Sequence, residues 1–290
     1  MEAQQEKIIT GISPSTPPRF QASTHPLSPM KTKFIALLSD FGINDPFVGA
    51  MKGVILSKGP SLTIIDLTHH IPPQDIQAGA FYLMAAMPYM PKGTLFLAAV
   101  DPTVGTGRGL LWAKTKNYQF MSPDNGILSW VEEVEKLEEV RFINKSDLFM
   151  TRISSTFHGR DIMAPVAAAI AKGLSEKKIG PLMKDYRRFP FPRPVKTGNR
   201  VAGRILTVDH YGNAITNLTQ QYINVRSIFT VSEKVIKGLK LTYASVAEGE
   251  AMALIGSFGF LEFSLRNGNF AGAFGVKPGD EVEAITSLDE

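Results

Sequence analysis

Unbroken apolar runs and helical-period stripes alternate along the first two thirds of the chain. Phe34 to Leu38 (FIALL) is continuously apolar, as a strand buried on both faces is. Asp45-Pro46 gives a helix start, with Asp able to cap and Pro suited to the first helical position. Phe47, Met51, Val54 and Ile55 follow as an apolar stripe at helical spacing. Leu62 to Leu67 (LTIIDL) predicts a second strand, Asp75 to Met87 a second helix, and Thr94 to Val100 (TLFLAAV) a third strand. This alternation predicts an α/β domain, doubly wound, with a mostly parallel sheet. Beyond Arg108 the pattern weakens. Short strands are expected at Leu110 to Ala113, Gln119 to Met121 and Val140 to Ile143. A turn is expected at Ser122-Pro123-Asp124-Asn125-Gly126, and helices at Ile127 to Leu137 and Ile162 to Ala171.

The last third has a different rhythm. Short strand patterns recur between turns at Val201 to Val208, Ser227 to Val231, Leu239 to Tyr243, Ala251 to Ile255, Phe260 to Leu265 and Glu281 to Ile285. They predict a small all-β domain, a sandwich or barrel. The expected organisation is therefore an N-terminal α/β domain over 33–183, a linker over 184–200 carrying Pro190, Pro192 and Pro194, and a C-terminal β domain over 201–290. Residues 1–32 are rich in Pro, Ser, Thr and Gln. They read as a disordered tail or an over-extended start, with Met30 a candidate initiator.

Composition narrows the function classes. The 290 residues are 44% hydrophobic, enough for one large or two ordinary cores. A net charge of +4 with no dense Lys/Arg block argues against a nucleic-acid partner. No apolar run approaches membrane-spanning length. With no cysteine there is no disulfide, no thiolate zinc site and no cysteine nucleophile, which is compatible with the cytoplasmic location expected here.

Candidate chemistry gathers at strand ends. Asp101 closes the third strand, at the end where open α/β sheets bind ligands, and Arg108 leaves the same glycine-rich loop (VDPTVGTGR). His158 lies in a second polar loop (STFHGRD) before an apolar helix. Asp, Arg and His together can activate water: histidine, with an ordinary pKa of about 6.5, accepts a proton, and arginine stays cationic and polarises. The plain structural alternative is a salt bridge with a capping histidine, and spacing alone favours that alternative. Gly105, Gly107 and Gly109 superficially resemble a phosphate-cradling loop, but LLWAKTKNYQF after them does not read as the helix such a loop needs. Asp66, His69 and His70, even with Asp124 and His158, fit no recognised metal spacing, so polar caps at a strand end are preferred and no metal is expected. Asp40, and Asp209 through Asn213 (DHYGN), read on position alone as turn formers.

Six ordered blocks change those readings: SDFGINDPFVGAMKG, IDLTHHIPPQDI, PKGTLFLAAVDPTVGTGR, SPDNG, SSTFHGRDIMAPVAA and VDHYGNAITN. In these the chain resembles the S-adenosylmethionine (SAM) hydroxide adenosyltransferases, the adenosine-forming SAM hydrolases related to fluorinase and chlorinase. The resemblance runs from about Lys33 to the C-terminus. It implies an N-terminal α/β domain, a barrel-like β domain, and a homotrimer that binds SAM between one subunit's N-terminal domain and a neighbour's C-terminal domain. It implies Asp101, Arg108 and His158 as the catalytic triad and Asp40 as the carboxylate on the ribose hydroxyls, with Phe81 lining the ribose side. It further implies Asp209 on the methionine amino group, Asn213 on adenine, and Ser257, Phe258 and Asn267 in the wall around methionine and adenine. SAM is then a substrate, and no cofactor is required.

Asp101 stands where halogenases of this kind carry tyrosine. The remaining alternatives are a non-catalytic SAM or adenosine sensor and, further off, a SAM-dependent halogenase. Two positions depart from the family pattern. Thr103 replaces the usual glycine, which strains the chain if that position needs φ > 0 and otherwise offers a pocket hydroxyl. Arg266 replaces the usual asparagine.

Overall fold

The computed structural model describes residues 32–286. The expected tail, apart from Thr32, and Met30 with it, lies outside the described residues. The chain divides into two compact units between Phe191 and Pro192.

The first unit is built on six strands: β1 (Phe34–Ser39), β2 (Thr63–Thr68), β3 (Leu95–Ala99), β4 (Leu110–Lys114), β5 (Gln119–Pro123) and β6 (Glu139–Phe142), in the order β2-β1-β3-β5-β4-β6. Pairs β1/β2, β1/β3 and β3/β5 are parallel, while β4 runs antiparallel to both β5 and β6. The order follows from the crossovers. Helix α1 (Phe47–Lys58) carries the chain from β1 to β2, and α2 (Ile76–Ala86) returns it past β1 to β3. Winding therefore reverses between β1 and β3, and the carboxyl ends of those two strands flank the crevice where such sheets bind ligands. Ile35, Leu37, Leu95 and Leu97 pack one sheet face on Met51 and Ile55 of α1 and on Val166, Ala167 and Ile170 of α3 (Ala164–Ala171). A π-helical turn, Gly159–Met163, precedes α3.

Local signals explain most boundaries. Asp75 caps α2, its carboxylate accepting from the Ala78 amide at 2.9 Å. At α1 the expectation needs correction: Pro46, not Asp45, is the N-cap, and no side chain bonds there. The helix expected over Ile127 to Leu137 is also absent; only a 3₁₀ turn forms, Val131–Glu133. The apolar spacing suits a helix, but Glu135 is pulled away to accept from Thr115 Oγ1 (2.8 Å) and Asn117 Nδ2 (2.6 Å), and the i→i+3 turns still bury Ile127, Leu128, Trp130 and Val131.

The second unit holds eight strands: β7 (Val195–Thr197), β8 (Arg200–Val208), β9 (Ala214–Thr219), β10 (Ile228–Val231), β11 (Lys234–Lys237), β12 (Ala251–Ile255), β13 (Phe260–Leu265) and β14 (Glu281–Ile285). They pair antiparallel in the order β11-β10-β14-β8-β9-β13-β12, with β7 added beside β8. A bridge between Leu239 and Ala253 brings the segment after β11 back to β12, so the sheet nearly closes into a barrel. Its core includes Val201, Leu218, Phe229, Phe263 and Phe270. The strand expected at Leu239 to Tyr243 does not form. Gly238 takes φ +71, and a capping box between Thr242 and Ser245 starts a 3₁₀ turn. The short helix α4 (Phe270–Phe274) and strands β7, β9 and β11 are additions to the expected elements.

Within the stretch read as a linker, the Arg187 amide donates to Asp124 Oδ1 at 2.7 Å and the Phe189 amide to Ser129 Oγ at 3.0 Å, while β7 pairs with β8.

Candidate active site

Asp40 follows β1 and Asp101 follows β3, so both carboxylates stand at the two strand ends where the winding reverses. The side chain of Arg108 is 4% exposed and donates through Nε (2.7 Å) and Nη2 to a single oxygen, Oδ2, of Asp101. The same Nη2 reaches His158 Nδ1 at 3.1 Å. Arg108 thus joins Asp101, on its own loop, to a histidine 50 positions further along the chain. A guanidinium only donates, so Nδ1 of His158 is an acceptor and the ring hydrogen sits on Nε2.

Two contacts bring the loops together. Gly105 has φ +79, and a Cβ there would lie 2.3 Å from the Ser155 carbonyl oxygen. The glycine thus permits both the left-handed turn and the approach of the Asp101 loop to the His158 loop. Phe41, next to Asp40, meets Phe157, next to His158, edge to face at 5.6 Å, and Phe47 completes the aromatic trio. His158 itself is the N-cap of the π-helical turn, and Met51 lies under Gly159. π-helical turns are frequent at functional positions.

Charges around the site are ordered. Burial lowers the pKa of His158 below its usual value, and the adjacent Arg108 lowers it further, against an opposing pull from Asp101 and Asp161. Burial pushes the Asp161 carboxyl upward, but bonds from Arg160 and the Ser154 amide outweigh it and hold the carboxyl below its ordinary value. Thr103 is not among the residues with positive φ, so threonine is unstrained there; its amide and hydroxyl both donate to Asp101 Oδ1 at 3.3 Å. Asp40 accepts from the Gln74 amide at 2.8 Å, with Gln74 held at φ +67. Phe81 is fully buried in α2, its ring edge on Tyr82. Among the described residues no group of three or more His, Cys, Asp or Glu is arranged to hold a metal, and no helix is long and apolar enough to cross a membrane.

In the second unit, Asp209 closes β8. Its Oδ1 accepts from the Tyr211 and Asn213 amides and its Oδ2 from Asn213 Nδ2, all at 2.9 Å. Gly212 at φ +84 completes the turn, with Asn269 lying over it. Asn213 is buried, whereas Ser257 and Phe258 form the exposed β12–β13 turn and Asn267 the exposed turn after β13, at φ +54. Arg266 donates to the Val246 carbonyl, within its own unit.

Sequence reading missed the buried Glu262, and it read His69 only as a polar cap at a strand end without its bond to Ser39. Glu262 is 5% exposed on β13 and accepts from Tyr243 and Ser264; burial and then Asp209 raise its pKa, outweighing the lowering from the Tyr243 bond. Ser39 and His69 bond to each other at 2.7 Å behind the Asp40 turn. The signal available for each was a polar side chain inside an otherwise apolar strand or strand end.

Known proteins share this architecture. Residues 35–180 match the family profile of the SAM hydroxide adenosyltransferase N-terminal domain, and residues 203–283 match that of the C-terminal domain. The chain is 35% identical over 258 residues to a protein of Thermus thermophilus named (R)-S-adenosyl-L-methionine hydrolase, covering 87% of this chain and 99% of that one. A fluorinase of Nocardia brasiliensis is 26% identical, with 86% and 95% covered. A solved structure of a conserved protein from Thermotoga maritima superposes with a TM-score of 0.82 at 34% identity, covering 87% of this chain and 99% of that one.

Proposed function

The chain belongs to the SAM hydroxide adenosyltransferase family, and we propose on that basis that it hydrolyses SAM to adenosine and L-methionine, with the (R)-sulfonium form named for its relatives as the preferred substrate. The observation that carries the reading is the Arg108 guanidinium touching both Asp101 and His158.

The substrate's sulfonium makes methionine a neutral leaving group, so catalysis concentrates on the nucleophile. A water that opens the direct Arg108 Nη2–His158 Nδ1 contact accepts from the first and donates to the second. Asp101 holds the guanidinium plane for that task. The water oxygen bonds to the ribose 5′ carbon as the carbon–sulfur bond breaks; the bond pair leaves on sulfur, and the water proton passes to His158. Asp40 accepts from the ribose hydroxyls, with Phe81 on the ribose side. Asp209, Asn213, Ser257, Phe258 and Asn267 serve the methionine and adenine ends. These two sets belong to different units of the chain, and we assign them to one ligand completed across a homotrimer. No cofactor enters this scheme.

Purified protein given SAM in halide-free buffer should release adenosine and methionine in equal amounts, followed by chromatography, and Asp101→Ala should bind SAM without products. Binding without turnover by the unaltered protein would identify a sensor instead. A 5′-halogenated nucleoside formed only on adding fluoride or chloride would identify a halogenase.

The scheme fixes a pH dependence. His158 must keep Nδ1 free of a proton, and its pKa lies below the usual value. Activity should therefore stay level above about pH 6.5 and fall on acidification through a midpoint below that value. A midpoint above it, in kcat/KM measured from pH 4.5 to 9, would contradict the role given to His158.

A further inference from the structure

The DLTHH segment stands outside the scheme above, yet its side chains are built into a continuous relay. Lys52 of α1 donates to Asp66 Oδ2 at 2.6 Å; Asp66 Oδ1 lies 3.0 Å from His69 Nε2; His69 Nδ1 lies 2.7 Å from Ser39 Oγ; and Ser39 Oγ accepts from the Phe41 amide at 3.4 Å. Hydrogen positions follow from the ends inward. The Asp66 carboxylate only accepts, so His69 carries its hydrogen on Nε2, Nδ1 accepts, and the Ser39 hydroxyl donates to it. Every group is satisfied by this one assignment.

Asp-His-Ser is also the order of a nucleophilic triad. Ser39 is 2% exposed and His69 5%, however, so the hydroxyl is sealed from any substrate. What the relay touches is the Asp40 turn. Ser39 directly precedes Asp40. The Gly42 amide donates to the His69 carbonyl at 2.7 Å, and the Ile71 amide to the Ser39 carbonyl at 3.4 Å. The buried hydroxyl and imidazole adjoin the turn, and Asp40 takes the Gln74 amide on Oδ2. The Ser39–His69 pair is buried and satisfied, and such pairs fix one local geometry, while Asp66 and Lys52, at 44% and 33% side-chain exposure, orient the imidazole from the surface.

We propose that Ser39 and His69, braced by Asp66 and Lys52, are positioning residues that set the direction of the Asp40 carboxylate toward the ribose hydroxyls. This rests on the ribose role given to Asp40. The readout is the ratio of kcat/KM for SAM over that for an analogue lacking both ribose hydroxyls. Asp40→Ala should bring the ratio close to one. Ser39→Ala, which removes one oxygen and is compatible with the strand, and His69→Asn should each lower the ratio about tenfold, the effect of one charge-assisted hydrogen bond misdirected. Adding Ser39→Ala to Asp40→Ala should change the ratio no further, whereas a merely structural role would lower both substrates equally. If Asp40→Ala collapses the ratio while Ser39→Ala and His69→Asn keep it, the positioning role is wrong and the ribose role stands. If Asp40→Ala itself keeps the ratio, the ribose role fails and the positioning role falls with it.

Discussion

Replacing Arg108 by lysine should lower kcat for SAM hydrolysis about 10²- to 10³-fold, the usual cost of removing one preorganised donor from a reacting centre. Lysine keeps the charge beside Asp101, so the carboxylate does not become an unpaired buried anion and folding should survive. What lysine lacks is the planar fork. Arg108 bonds Asp101 through Nε and Nη2 and still spends Nη2 on His158. A single ammonium cannot hold both ends with the same direction. KM should change far less than kcat, because the guanidinium acts on the water rather than on the methionine, ribose or adenine groups. Steady-state kinetics beside a thermal melt separates the two effects. A lysine variant within threefold of the unaltered kcat would remove Arg108 from the chemistry and leave it as a structural ion pair.

The strand ends were legible in the sequence, and with them the placement of Asp40 and Asp101 in the candidate site. FIALL and LFLAAV are apolar without interruption, so the first polar residues after them, Ser39-Asp40 and Asp101, had to lie at sheet ends. The winding order then makes those ends neighbours. Joining Asp101 and Arg108 to His158 was not legible from spacing. It depends on Gly105 lying against the Ser155 carbonyl and on Phe41 meeting Phe157, both long-range contacts with no periodic signature. The histidines of DLTHH show the limit from the other side. His69 and His70 are adjacent and chemically identical, yet one is buried in the relay and the other is exposed. Both lie just beyond β2, and the turn there carries His69 inward onto Ser39. The second unit was less legible because its elements are short. Strand β9 begins immediately after the Asp209 turn, and the turn signal masked it. Glu135 ended a helix that its neighbours' spacing favoured, because two side chains on the β4–β5 hairpin bind it more effectively than a helix terminus would.

Asp161→Ala should destabilise the fold by about 1–3 kcal/mol, the cost of a buried backbone donor left without its acceptor. Its side chain is 1% exposed. Oδ1 accepts Arg160 Nε at 2.6 Å, while Oδ2 accepts Arg160 Nη2 at 3.0 Å and the Ser154 amide at 2.8 Å. Arg160 also lies over the Phe157 ring at 4.9 Å. The carboxylate thus holds both ends of the loop that delivers His158, from Ser154 to the π-helical turn. Losing it leaves the Ser154 amide unbonded and frees Arg160, which at 36% exposure can turn to solvent. Most of the cost therefore comes from the loop, and activity should fall with stability. Because the native carboxyl is held below its ordinary pKa, its stabilisation is present at neutral pH and is lost on acidification through that lowered value. Urea denaturation of the unaltered protein and of Asp161→Ala should therefore differ widely at pH 7 and converge in acid. Arg160→Met supplies the control. If the exposed arginine were the main anchor, its loss would match that of Asp161→Ala; if the Ser154 bond dominates, Arg160→Met should cost under half as much and keep most of the turnover.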